Sequence, residues 1–217
     1  MKHLMLALSL GGSLLLAGCA SQTTQPEQYS GFLGDYSQLQ ATTSASGAPV
    51  MRWVSPDFKL ANYSSILVEK PQFYPAPTPS EQVGQDALNE IASYLQQALK
   101  REMQGRLVVV EQANHDSLVM RSAITAVDVS AEGLKVYEVI PIALVAAAAS
   151  TAAGTRDRTT EIYVEIEVLD ARTSKPVARV VRKGHGLALE NQNTQLSLDD
   201  LKPALDVWAL DARNFRP

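Results

Sequence analysis

A chain of 217 residues with one cysteine, Cys19, can close no disulfide within itself and build no cysteine-rich metal site. It is also short of positive charge, with 19 Lys and Arg against 23 Asp and Glu and a net charge of −4. Nucleic-acid binding needs clustered Lys and Arg that displace counterions, so nucleic acid is not expected as a partner. No apolar run reaches the ~20 residues that span a bilayer. Neither Gly-x-Ser-x-Gly nor Gly-x-x-x-x-Gly-Lys occurs. Histidines number three, and two of them, His115 and His185, lie beyond the first twenty residues. His115 stands in "NHDS" beside Asp116 and Ser117. Triad partners meet through the fold and seldom as sequence neighbours, so this stretch reads as a polar turn. "KGHGLALE" sets His185 between Gly184 and Gly186, and Leu189 stands where a dinucleotide-binding loop needs its last glycine. No catalytic, cofactor-binding or metal-binding residue is therefore assigned, and no enzymatic role is expected.

What the chain does have begins at its front end. Lys2 precedes an apolar stretch, Leu4 to Leu16, broken by Ser9, Gly11, Gly12 and Ser13. A basic start, a short apolar core and a small-residue end mark a secretory signal over residues 1–18. Leu16-Ala17-Gly18-Cys19 resembles the lipobox of bacterial lipoproteins. That resemblance implies cleavage before Cys19 and acylation of its sulfur and new amine. Two or more acyl chains anchor a protein stably without spanning the membrane. Ala20, in place of a retaining aspartate, implies sorting to the outer membrane, facing the periplasm. Losing Lys2 and no carboxylate takes the net charge from −4 to −5.

Residues 19–50 read as the lipidated N-terminus and a largely irregular tether, followed by one domain over residues 51–217. One stretch departs from that reading. "YSGFLGDYSQLQ" (residues 29–40) concentrates Tyr29, Phe32, Leu33, Tyr36 and Leu39 around Gly31 and Gly34. Either it lies against the domain over an apolar groove, or Phe32 and Tyr36 form a docking motif for an envelope partner. With "MRWVSPDF" and "YSSILV" further on, this block resembles a family of bacterial lipoproteins of unknown function, domain of unknown function 3313. The resemblance runs from about residue 29 to 213. It implies location and fold and brings no catalytic residues.

The body predicts a mixed α+β domain, a mostly antiparallel sheet with helices packed on one face. "YSSILVEK" is a strand. Thr78-Pro79-Ser80-Glu81 has the form of a capping box opening a helix over about 79–103. Its apolar stripe runs through Leu88, Ile91, Leu95 and Leu99. "RLVVVEQ", "DSLVMRSAITAVDVS" and "KVYEVIP" are strands. "EIYVEIEVLD" alternates strictly and forms a hairpin with "PVARVVRKG". Glu161, Glu165 and Glu167 are placed on its exposed face, paired across the strands with Arg179, Arg182 and Lys183. Leu198, Leu201, Leu205, Trp208 and Ala209 share a face of a last helix, with Pro203 at its start or a kink.

The uncharged segment Pro141–Thr155 is unusual. If helical, Ala146, Ser150 and Gly154 form a small-residue ridge suited to self-association or membrane contact; otherwise it is a connector. The expected function is a non-catalytic binding or scaffold lipoprotein of the cell envelope. The alternative is an oligomeric subunit of an envelope assembly or export structure.

Overall fold

The computed structural model describes residues 23–131, 158–191 and 193–216. The segment read as a signal, Cys19, the strand expected at "KVYEVIP" and the ridge expected from Ala146, Ser150 and Gly154 lie outside these residues. Among the described residues, eight strands form one sheet: β1 (Gln40–Thr43), β2 (Pro49–Val54), β3 (Ser65–Val68), β4 (Gln72–Phe73), β5 (Val108–Val110), β6 (Ser117–Ala131), β7 (Arg158–Asp170) and β8 (Pro176–His185). Their order is β1-β2-β8-β7-β6-β3-β5. From β1 to β6 every pairing is antiparallel. β3 and β4 follow one another along the same edge of β6, both parallel to it, and β5 runs parallel to β3.

Two helices, α1 (Gln85–Met103) and α2 (Leu198–Asn214), pack together on one face. The α1 stripe is the one its spacing predicts: Leu88, Ile91, Leu95 and Leu99 have no measurable exposure. They meet Ile66, Ile124 and Ile162 from the sheet and Leu201 and Leu205 from α2. Each such side chain contributes roughly 1.5–3 kcal/mol by leaving water.

The start of α1 differs from expectation. The helix is capped at Gly84, and Thr78 and Glu81 do not form its cap. Residues 80–83 close a local turn instead, with the Val83 amide donating to the Ser80 hydroxyl at 3.0 Å. The carbonyl of Gln82 accepts from the Leu196 amide at 2.8 Å, and that of Glu81 accepts from Gln195. The 194–196 loop thus takes the acceptors that a longer helix would have used. At α2 the capping box is Ser197 with Asp200, and Pro203 sits inside the helix rather than at its start.

The glycines around His185 serve packing. A Cβ on Gly184 would stand 2.7 Å from Trp208 Cζ2 and 3.0 Å from the Ala204 Cβ. At Gly186 it would fall on the Thr160 hydroxyl and the Asp200 carbonyl. Their absence of side chains lets α2 lie directly on β8.

Two further expectations are corrected. Within the stretch read as irregular tether, residues 40–43 form edge strand β1, paired with β2. The acidic side of β7 is not exposed: Glu161, Glu165 and Glu167 are buried, Glu165 completely. Alternation along β7 does separate two faces, but the acidic one is covered by residues 26–37.

Candidate functional site

The strap over the acidic face is built around Glu165. Its Oε2 accepts from the Tyr36 hydroxyl at 2.6 Å and its Oε1 from the Ser30 amide at 2.8 Å. The same Tyr36 oxygen accepts from the amides of Gly31 (2.7 Å) and Leu33 (3.3 Å). Gly31 (φ 96°) and Gly34 (φ 71°) supply left-handed turns that fold the strap around this oxygen. Burial, and then the bond to Glu165, pushes the Tyr36 hydroxyl up to about 12. Tyr29 stacks on Tyr36 with ring centroids 4.6 Å apart. Phe32 lies 5.5 Å from the Arg121 guanidinium and 6.0 Å from the Tyr74 ring.

Charges flank this centre. Glu167 is bound by Arg179 at 3.0 Å and approached by Arg121 at 3.5 Å. Arg179 also donates to the Asp35 carbonyl, tying the strap to β8. Glu161 accepts from the buried Tyr163 hydroxyl, with Lys183 at 3.7 Å and His185 at 3.2 Å. The cross-strand pairing expected for Arg179 and Lys183 is present. Arg182 is the exception, because it projects from the opposite face of β8 and pairs with Asp211 at 2.9 Å. Phe32 and Tyr36 both face their own domain.

Arg182 leads to the second site, which no sequence motif indicated. On the helix-covered face, beyond the C-terminal ends of α1 and α2, the sheet forms the floor of a cleft of about 890 Å³. The floor is aliphatic, with Ile166, Val168, Ala178 and Val180 near the β7–β8 turn. The walls are the β1–β2 turn, the Phe58–Leu60 loop and the tail Asn214–Arg216. The first wall is held by Asp211, which accepts from the Ser46 amide at 2.6 Å and from its hydroxyl at 3.0 Å. The tail is held by Arg106, which donates to the Phe215 carbonyl, and by Arg52, 5.2 Å from the Phe215 ring.

Among the described residues, five arginines line the cleft, Arg52, Arg106, Arg182, Arg213 and Arg216, against one carboxylate, Asp211. Arg182 is 5% exposed and stacks 5.1 Å from the Trp208 ring centroid. Its Nε has no hydrogen-bond partner among the described residues. Burial lowers the Arg182 pKa, opposed by Asp211. Among the described residues, the lining includes no histidine, cysteine or tyrosine. What it offers a ligand is apolar area, positive charge and one unmatched donor.

His115 and Asp116 are exposed and bonded to each other at 3.1 Å, as a polar turn would place them. Among the described residues, no group of three or more His, Cys, Asp or Glu could hold a metal ion. No described helix is long and apolar enough to cross a membrane.

A family model described as a protein of unknown function, DUF3313, matches residues 28–212. The uncharacterized lipoprotein YdcL of Escherichia coli strain K12 is 47% identical over 207 residues, covering 95% of this chain and 93% of that protein. YdcL of Escherichia coli O157:H7 matches to the same extent. Among solved structures, the PelC dodecamer from Paraburkholderia phytofirmans superposes with a TM-score of 0.39 at 11% identity, over 75% of this chain and 96% of that one. A neuraminyllactose-binding hemagglutinin homolog from Helicobacter pylori gives 0.39 at 7% identity, over 72% and 82%. Likenesses this distant carry no inference about activity.

Proposed function

The chain belongs to DUF3313, a bacterial lipoprotein family of unknown function, and from that membership we propose that it is anchored through Cys19 to the periplasmic face of the outer membrane, where it acts as a non-catalytic binding protein. The observation that carries the binding role is the cleft. A concave site of about 890 Å³ falls within the ~300–1,000 Å³ typical of ligand pockets. It combines an apolar floor with a small number of polar groups and includes no nucleophile–base pair. The anchor reading is supported by Leu16-Ala17-Gly18-Cys19 and by the lipoprotein relatives. Ala20 supports the outer membrane over the inner one.

The test is occupancy. Val180 is half-buried on the floor, so Val180→Phe sets a ring into the cleft directly over the floor. Native mass spectrometry of the acylated protein taken from envelopes should show a small companion on the wild type that this variant loses. A companion retained by both proteins would refute the cleft as its site. No companion on either, from freshly isolated envelopes, would count against a ligand-binding role.

A further inference from the structure

We propose that the cleft takes a single-chain anionic amphiphile, its acyl chain lying along the sheet and its carboxylate or phosphate head among the arginines. This deepens the binding reading above and rests on it.

The floor selects for a chain rather than a peptide. Its open part is Val168 and Val180, half-buried on β7 and β8, with Ile66, Leu118, Met120 and Ile166 of β3, β6 and β7 beneath at 9% exposure or less. Each of these strands has neighbours on both sides, so the backbone amides and carbonyls of the floor are committed to ladders. A peptide laid here would bury its own amides against a surface offering them few partners, at a cost. Methylenes need no partner and gain from every apolar atom they cover.

The rim selects for an anion. Asp211 is already taken by Arg182 and Ser46, and Arg213 lies 3.3 Å from Glu102. Arg52, Arg106 and Arg216 have no carboxylate partner among the described residues, though all three line the same cleft. Arg106 and Arg216 line the same cleft, and burial, then the like charge of Arg216, lowers the Arg106 pKa. Guanidinium forks match carboxylate and phosphate oxygens geometrically. Arg182 adds the unpartnered Nε donor in a 95% buried side chain, and a buried donor without an acceptor is uncommon enough to require an explanation. An anionic head among Arg52, Arg106 and Arg216 offsets their like charge.

The reporter is built in. Trp208 lines the cleft, while Trp53 stands opposite Arg179 on the other face of the sheet. These are the two tryptophans of the chain, so Trp53→Phe leaves Trp208 alone. The acylated Trp53→Phe protein, held in phosphatidylcholine nanodiscs, is titrated with stearate brominated at mid-chain. Lysophosphatidylglycerol and a trimethylammonium amphiphile with the same brominated chain form the other arms. Both acids should quench Trp208 saturably. Arg52→Gln with Arg216→Gln should weaken them by ~10-fold or more, and Arg216→Gln alone, at an exposed position, by a smaller factor with an unchanged melting curve.

The tighter of the two acids identifies the head as a fatty-acid carboxylate or a lipid phosphate. Equal quenching by the cationic amphiphile overturns the inference. So do affinities unchanged in both arginine variants. If an apolar peptide with a free C-terminal carboxylate binds saturably and neither acid does, the amphiphile is wrong and the cleft remains a ligand site. If nothing binds saturably, the inference and the functional reading fall together.

Discussion

Removing one oxygen should loosen the strap. Tyr36→Phe deletes the donor to Glu165 and the acceptor for the Gly31 and Leu33 amides while keeping the ring that stacks on Tyr29. The bond to Glu165 is short, 2.6 Å, and ends on a carboxylate with no exposure. Hydrogen bonds to charged groups contribute about 1.5–3 kcal/mol, and water has no access to replace this one. The two amides add less, because Gly31 is exposed and the Leu33 bond is 3.3 Å long. The expected loss is therefore about 2–3 kcal/mol, dominated by the first bond. Urea unfolding with an unchanged slope measures it, and a cycle with Glu165→Gln should show coupling above ~1 kcal/mol. A loss below ~0.5 kcal/mol with no coupling would refute the strap as a structural part of the domain. The pH dependence gives a second reading. The Tyr36 pKa in the fold, about 12, lies above its ordinary value of 10.0. The folded state then holds the proton more tightly than the unfolded one. Stability from this group is complete below about pH 10 and is lost as pH rises through about 12. Tyr29 and Tyr163 are raised too and act in the same direction, so Tyr36→Phe should make the alkaline fall shallower without abolishing it.

Gly184→Ala sets a methyl 2.7 Å from Trp208 on a helix that cannot withdraw, and should cost about 1–3 kcal/mol in thermal unfolding, whereas Gly47→Ala, with open space but a φ of 82°, should show only backbone strain. Leu95→Ala should cost about 2–5 kcal/mol by leaving a cavity in the centre of the core, and exposed Gln97→Ala almost nothing; equal melting temperatures would show the stripe misplaced. Cys19→Ser should leave an uncut precursor or a form lost from the outer-membrane fraction, and wild-type fractionation with unchanged mobility would refute the lipobox.

The sequence made some of this architecture legible and hid the rest for identifiable reasons. Local signals carried the α1 stripe, the β7–β8 hairpin and the cross-strand partners of Glu167 and Glu161, because helical spacing and register are set within a few residues. The burial of Glu165 was hidden because its partners, Ser30 and Tyr36, come from a segment 129–135 residues earlier. Alternation reports that two faces differ and leaves open whether the polar one meets water. A signal was nonetheless present: bulky groups crowded around two glycines in a polar stretch have to be placed somewhere, and the acidic face was the surface with acceptors to satisfy. The capping box at Thr78 failed for a similar reason, since the competing partners at 195 and 196 lie more than a hundred residues away. For the cleft there was no linear signature at all, because its five arginines come from four separate parts of the chain.

That the cleft exists follows from lengths. At ~3.3 Å per residue, the 13 residues of β7 extend about 43 Å. At 1.5 Å per residue, the 19 residues of α1 and the 17 of α2 extend about 28 and 26 Å. The helices cannot cover the strands from end to end. Contacts show where they run out. Leu201 and Asp200 lie at Gly186, Ala204 and Trp208 at Gly184, and Asp211 at Arg182, so α2 advances along β8 toward the hairpin and ends three residues later at Asn214. Val180 and Ala178 lie past that point, continuing the apolar face that α2 buries upstream. The chain supplies one last cover, the tail at Phe215, and holds it with arginines in place of further apolar packing. The two arginines that clip the tail, Arg52 and Arg106, are thus also the guanidinium groups that face the cleft.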